Sequence, residues 1–129
     1  MSEYLSKILY VEDDCDIAEV AVMTLEDLGG FEVHHCDTGA KALQAFPDYQ
    51  PQLVLLDVMM PYMDGKETYR LLRKLPGAER TPVIFMTAKA QSHEQTAYLA
   101  MGALGVVVKP FDPITLSANI RRIWECRDA

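Results

Sequence analysis

Glu12, Asp13, Asp57, Thr87 and Lys109 are residue types that handle phosphate or metal, and each stands where a short apolar run ends. Ile8-Leu9-Tyr10-Val11 runs into Glu12-Asp13-Asp14, and Leu53-Val54-Leu55-Leu56 ends on Asp57. Val83-Ile84-Phe85-Met86 ends on Thr87, and Val106-Val107-Val108 ends on Lys109-Pro110. Continuous apolar runs of this length suit strands covered on both faces, as in a parallel sheet. Ligands of an open α/β sheet bind in the crevice outside the carboxyl ends of its strands. Three carboxylates, a hydroxyl and an ammonium would therefore converge on one rim. Such a set suits a divalent cation, an acceptor carboxylate and a phosphoryl group.

The elements needed to hold that rim alternate along the chain. After the first run, Asp16 to Leu28 carries Ile17, Val20, Ala21, Leu25 and Leu28 at helical spacing, and Gly29-Gly30 stops it. Phe31 to His35 reads as a less apolar strand, suited to a sheet edge. Thr38 caps a helix reaching Phe46, which Pro47 helps to end. Asp64 caps a helix through Leu75, and Ser92 one that ends near Met101 with Gly102 as its stop. Asp112-Pro113 has the cap-then-proline pattern of a helix start, and that helix turns Leu116, Ile120 and Ile123 inward. The resulting pattern is (βα)₅, with right-handed crossovers and helices on both faces.

The 129 residues fit one domain, spanning residues 1–129, with enough chain for a real core. Half the residues are apolar and the formal net charge is −7, part of which a carboxylate cluster awaiting a cation would explain. That balance argues against nucleic-acid binding by the domain itself. No apolar stretch approaches the roughly 20 residues of a membrane span, and no secretory signal follows Met1. Cys15, Cys36 and Cys126 have no CxxC spacing and suit free thiols in a reducing cytoplasm. Asp14 and Asp64 read as caps, and His34, His35 and His93 as surface residues with no second ligand spaced to pair with them.

Four blocks together resemble the receiver domains of two-component response regulators. They are Val11-Glu12-Asp13-Asp14, Leu56-Asp57-Val58-Met59-Met60-Pro61-Tyr62-Met63-Asp64-Gly65, Met86-Thr87-Ala88 and Val108-Lys109-Pro110-Phe111. The resemblance covers essentially the whole chain. It implies a flavodoxin-like fold with a parallel sheet of order 2-1-3-4-5 and a site at the strand ends. It makes Asp57 the phosphoacceptor, with Glu12 and Asp13 as the acidic pair. Thr87, the backbone of Ala88 and Lys109 would meet the phosphoryl group, and Lys109-Pro110 would be a cis peptide. The implied cofactor is Mg²⁺, with Mn²⁺ as a substitute. Mg²⁺ takes octahedral oxygen ligands and keeps several waters. Asp13 and Asp57 suit its carboxylate ligands, the Met59 carbonyl its backbone ligand, and Glu12 a contact through water.

The departures from the family pattern concern output and lifetime. Gly102-Ala103-Leu104-Gly105-Val106 falls where many relatives have Gly-Ala, two polar residues and an aromatic. Val106 thus occupies the position of the aromatic that swings inward on activation, and it has no ring to swing. Met59 and Lys89 flank the expected path of hydrolytic water. Neither a thioether nor an ammonium can act as a base there, so a long-lived aspartyl phosphate is expected. Apolar Leu104 and Val106, near Tyr98 and Trp124, suggest an exposed patch on the fourth helix, fifth strand and fifth helix, where a second copy or a downstream protein would dock.

The sequence thus predicts a cytoplasmic phosphoacceptor domain charged by a histidine kinase or a histidine phosphotransfer protein. It is not an enzyme beyond its own phosphorylation and dephosphorylation. One alternative is a degenerate receiver that binds its partner whether or not it is phosphorylated; Val106 favours it and the complete set of site residues opposes it. Another, an aspartate-nucleophile phosphatase, would carry an Asp two positions after the nucleophile, where Met59 stands.

Overall fold

The computed structural model describes residues 3–88 and 91–127. The expected alternation is present as β1 (Lys7–Val11), α1 (Cys15–Asp27), β2 (Glu32–Cys36), α2 (Gly39–Tyr49) and β3 (Leu53–Asp57). It continues as α3 (Gly65–Leu72), β4 (Val83–Thr87), α4 (Ser92–Ala100), β5 (Gly105–Val108) and α5 (Leu116–Glu125). The strands form one parallel sheet of order β2-β1-β3-β4-β5. Every residue of β3 and β4 is buried, as their unbroken apolar runs require. The less apolar β2 lies at an edge.

Side chains alternate across the sheet and so build two cores. Leu9, Val11, Val54, Leu56 and Phe85 pack with Ala42, Phe46, Tyr69, Leu72 and Tyr98 of α2, α3 and α4. Ile8, Tyr10, Leu53, Leu55, Ile84 and Met86 pack with Ala18, Ala21, Leu25, Leu116, Ile120 and Trp124 of α1 and α5. This two-sided cover leaves the carboxyl ends of the strands free to hold polar groups.

Several local expectations are corrected. The inward face of α1 is Ala18, Ala21, Thr24 and Leu25, whereas Val20 and Leu28 are exposed. Small residues let α1 approach the sheet closely, which rotates the larger ones outward. Pro47 lies inside α2, which continues to Tyr49 and ends when Gln50 turns left-handed at φ 50°. α3 stops at Leu72 rather than Leu75. Arg73 stacks on the Tyr69 ring and donates to the carbonyls of Ala78 at 2.9 Å and Thr81 at 2.6 Å, which draws the chain into a turn. Gln91, not Ser92, precedes the first turn of α4 and provides no side-chain cap. Asp112 accepts from the Ile114 amide at 2.9 Å and opens a turn, so α5 proper begins at Leu116. Ile123 is only half-buried.

Candidate functional site

Strand register brings the predicted residues to one rim. Asp57 is the last residue of β3 and pairs with Met86, which places it beside the end of β4 and Thr87. Glu12 and Asp13 follow β1, and Lys109 follows β5 with the predicted cis Lys109-Pro110 bond. Asp14 caps α1 by accepting from the amides of Asp16 and Ile17, and Asp64 caps α3 by accepting from Glu67. Both therefore have the structural role expected of them. Gly65 matters more than the sequence suggested: a Cβ there would overlap the Asp57 carbonyl, so only glycine lets α3 begin against the end of β3.

Glu12 and Thr87 are wholly buried and Asp57 is 2% exposed. The Lys109 ammonium donates to Glu12 Oε1 at 2.8 Å and to Asp57 Oδ1 at 3.2 Å, bridging the two buried carboxylates. The Asp14 amide donates to the other Glu12 oxygen at 3.2 Å. Burial pushes the Asp57 pKa up to about 7; the Glu12 charge adds to this and Lys109 works against it. Burial disfavours charge on Lys109 too. Its hydrogen bond to Glu12 and the Asp57 charge outweigh that and hold its pKa above the usual lysine value.

One carboxylate oxygen from each of Glu12, Asp13 and Asp57 lies within 4.8 Å of the others. An all-oxygen set of this size fits a hard divalent cation such as Mg²⁺ better than a soft metal. The Glu12 charge, which adds to the effect of burial on Asp57, is what such a cation would neutralise.

Two nearby residues escaped the sequence reading. His35 is not a simple surface histidine: its Nε2 lies 2.8 Å from the Glu12 carbonyl, and its ring packs on Tyr10 with centroids 5.6 Å apart. Tyr10 is wholly buried, with its hydroxyl near the Glu12 carboxylate. The His35 contacts leave no local signal, since they join residues brought together by the pairing of β1 with β2. A groove of about 440 Å³ opens beside the site between Ile17 and Val20 of α1 and Pro110, Phe111 and Pro113 after β5. Met59 and Ala88, which follow Asp57 and Thr87 in the chain, are exposed, and Tyr62 is fully exposed at φ 67°. Lys89 lies outside the described residues.

The proposed docking patch does not form as expected. Tyr98 and Trp124 are 4% and 3% exposed, so neither presents a ring to a partner. Leu104 folds back onto the α1/α5 core and Val106 onto the opposite core, both half-buried. Their apolar character serves packing. Tyr98 and Tyr69 flank Phe85 at centroid distances of 5.2 and 5.4 Å, and Phe85 pairs with Val106 across the sheet.

Comparison with known proteins bears on this arrangement. The family described as the response regulator receiver domain matches residues 8–121. The transcriptional regulatory protein CpxR homolog of Haemophilus influenzae is 38% identical over 92% of this chain and 50% of its own length. Regulatory protein AtoC of Escherichia coli is 37% identical over 92% of this chain and 25% of its own length. This chain thus spans half or less of those two curated relatives. The chemotaxis response regulator CheY4 of Vibrio cholerae superposes with a TM-score of 0.84 at 31% identity, covering 92% of this chain and 98% of that one. Fold, rim and sequence agree: the chain belongs to the response regulator receiver domain family.

Proposed function

We propose that this chain accepts a phosphoryl group on Asp57 from a phosphohistidine of a histidine kinase or histidine phosphotransfer protein. One observation carries the reading: a buried carboxylate at the end of a central strand sits inside a three-carboxylate cluster and touches a lysine. An Asp57 oxygen attacks phosphorus in line, an O–P bond forms and the histidine N–P bond breaks. The electron pair goes to the imidazole nitrogen, which takes up a proton. Phosphoryl transfer depends chiefly on positioning and charge neutralisation. When bound by Glu12, Asp13, Asp57 and the Met59 carbonyl, Mg²⁺ (or Mn²⁺) supplies the larger part of that neutralisation. Lys109, already at 3.2 Å from Asp57, pairs with the charge that develops on the phosphoryl oxygens. The Thr87 hydroxyl and the Ala88 amide, beside the end of β3, receive the remaining oxygens.

Phosphorylation then alters a protein-binding surface. With valine at position 106, the readout passes through the packed rings of Phe85 and Tyr98 to α4, because Phe85 shares a strand with Thr87 and touches Tyr98. The downstream protein, or a second copy, meets the α4-β5-α5 face through its exposed groups, such as Leu99 and Val108, rather than through Tyr98 or Trp124. The domain works in the cytoplasm alongside its phosphodonor; no helix among the described residues is long and apolar enough to cross a membrane.

The test is incubation with Mg²⁺ and acetyl phosphate. One phosphoryl group should be incorporated, Asp57→Asn should abolish it and Asp64→Asn should not. Full labelling in excess chelator would contradict the proposal.

A further inference from the structure

β2 holds the backbone of Glu12 at both of its polar groups. The Glu12 amide donates to the Cys36 carbonyl at 3.0 Å, continuing the ladder past the pair of Val11 with Cys36. In a parallel ladder, the carbonyl of such a residue accepts from the amide two positions further along the neighbouring strand. That amide would be Thr38, but β2 ends at Cys36 and Thr38 caps α2 instead. Among the described residues, no backbone amide donates to the Glu12 carbonyl. Glu12 is wholly buried, so the carbonyl cannot turn to bulk water either. The His35 side chain takes the place of the missing amide, with Nε2 2.8 Å from the oxygen. A carbonyl oxygen only accepts, so Nε2 carries the hydrogen.

The carbonyl belongs to the peptide that joins Glu12 to Asp13, two of the three residues whose carboxylate oxygens lie within 4.8 Å of one another. Turning that peptide would move both side chains relative to Asp57, which is fixed at the end of β3. Lys109 and the Asp14 amide hold the Glu12 carboxylate, but neither holds the peptide. The imidazole is itself braced. Its ring packs on Tyr10, its partner across the two strands, with centroids 5.6 Å apart, and Tyr10 is wholly buried.

We infer that His35 is a positioning residue for the metal site: its Nε2–H orients the Glu12–Asp13 peptide so that both carboxylates meet the cation together with Asp57. This rests on the reading of the rim as the Mg²⁺ site of a phosphoacceptor. His35 acts only through the Glu12 carbonyl.

The experiment titrates Mg²⁺ calorimetrically into wild type, His35→Phe and His35→Gln. Phenylalanine keeps a ring against Tyr10 but has no N–H, whereas glutamine can place an amide N–H near the position of Nε2. His35→Phe should bind Mg²⁺ roughly tenfold more weakly, the low end of the loss when an outer partner of a metal ligand is removed. His35→Gln should recover most of the affinity. In labelling by acetyl phosphate, the Mg²⁺ concentration giving half the maximal rate should rise by the same factor in His35→Phe, with the rate at saturating Mg²⁺ unchanged. Melting in chelator checks the fold; if His35→Phe does not fold, His35→Thr, β-branched and too short to reach the carbonyl, replaces it. Equal Mg²⁺ affinity in wild type and the variant without the N–H overturns this inference alone. Equal weakening by phenylalanine and glutamine does so too, since the ring and not the hydrogen bond would then be the source. Wild type that neither binds Mg²⁺ nor is labelled overturns the reading of the rim as well.

Discussion

Asp57→Asn should make the metal-free protein more stable, and the gain should depend on pH. Asp57 is 2% exposed, and burial followed by the Glu12 charge lifts its pKa from 3.8 to about 7. An unfolded chain ionises this group near its ordinary value, so the folded state binds the proton more tightly. Its favourable contribution is present in full below about pH 4 and lost as the pH rises through about 7. Above that, holding the carboxylate ionised disfavours folding by at most about 4 kcal/mol, at 1.36 kcal/mol for each unit of pKa. Asparagine keeps the shape, removes the charge and leaves the 2.8 Å Lys109–Glu12 pair intact. Lys109 loses its second partner, so the net gain at pH 8 should be nearer about 1–3 kcal/mol, or roughly 4–10 °C in Tm for a domain of this size. Thermal melting followed by circular dichroism, with chelator present, measures it between pH 4.5 and 8. The gain should shrink toward zero at the acid end, and adding Mg²⁺ at pH 8 should narrow it by stabilising only the wild type. A variant less stable than wild type at pH 8, or a gain independent of pH, would refute the reasoning.

Three further variants probe the rim. Gly65→Ala would drive a Cβ into the Asp57 carbonyl, so it should lower stability by about 2 kcal/mol or more and also reduce phosphorylation, read by urea unfolding and labelling. Tyr62 adopts φ 67° while fully exposed; Tyr62→Gly should raise stability by about 0.5–1 kcal/mol and leave labelling by acetyl phosphate unchanged, since no buried contact is lost. Met59→Asn combined with Lys89→Glu should shorten the aspartyl phosphate half-life by several-fold, because both replacements can orient water where the native side chains cannot; an unchanged decay would dispose of that role.

The strands and the acidic rim were legible because burial on both faces leaves unbroken apolar runs, and each run stops abruptly at a charged or hydroxylated residue. Helix ends were less so. The early stop of α3 depends on Arg73 reaching carbonyls five and eight residues further on, which no local pattern announces. Leu104, Val106, Tyr98 and Trp124 were recognisably apolar, yet apolar residues near a surface and apolar residues beneath it read alike in sequence. The structure buries the two rings and half-buries the two aliphatic side chains. His35 gained its place at the site only through the pairing of β1 with β2, which sets it against Tyr10, 25 residues away in the chain.

The central claim, a phosphoryl group carried by Asp57, is tested most directly by trapping the mixed anhydride. The protein would be treated with acetyl phosphate and Mg²⁺, then reduced with borohydride, which converts an aspartyl phosphate to homoserine, and mapped by peptide mass spectrometry. Homoserine at position 57 alone, dependent on Mg²⁺, is the predicted result. Homoserine at another aspartate such as Asp13, hydroxynorvaline at Glu12, or neither while intact protein shows no added phosphoryl group, would contradict it.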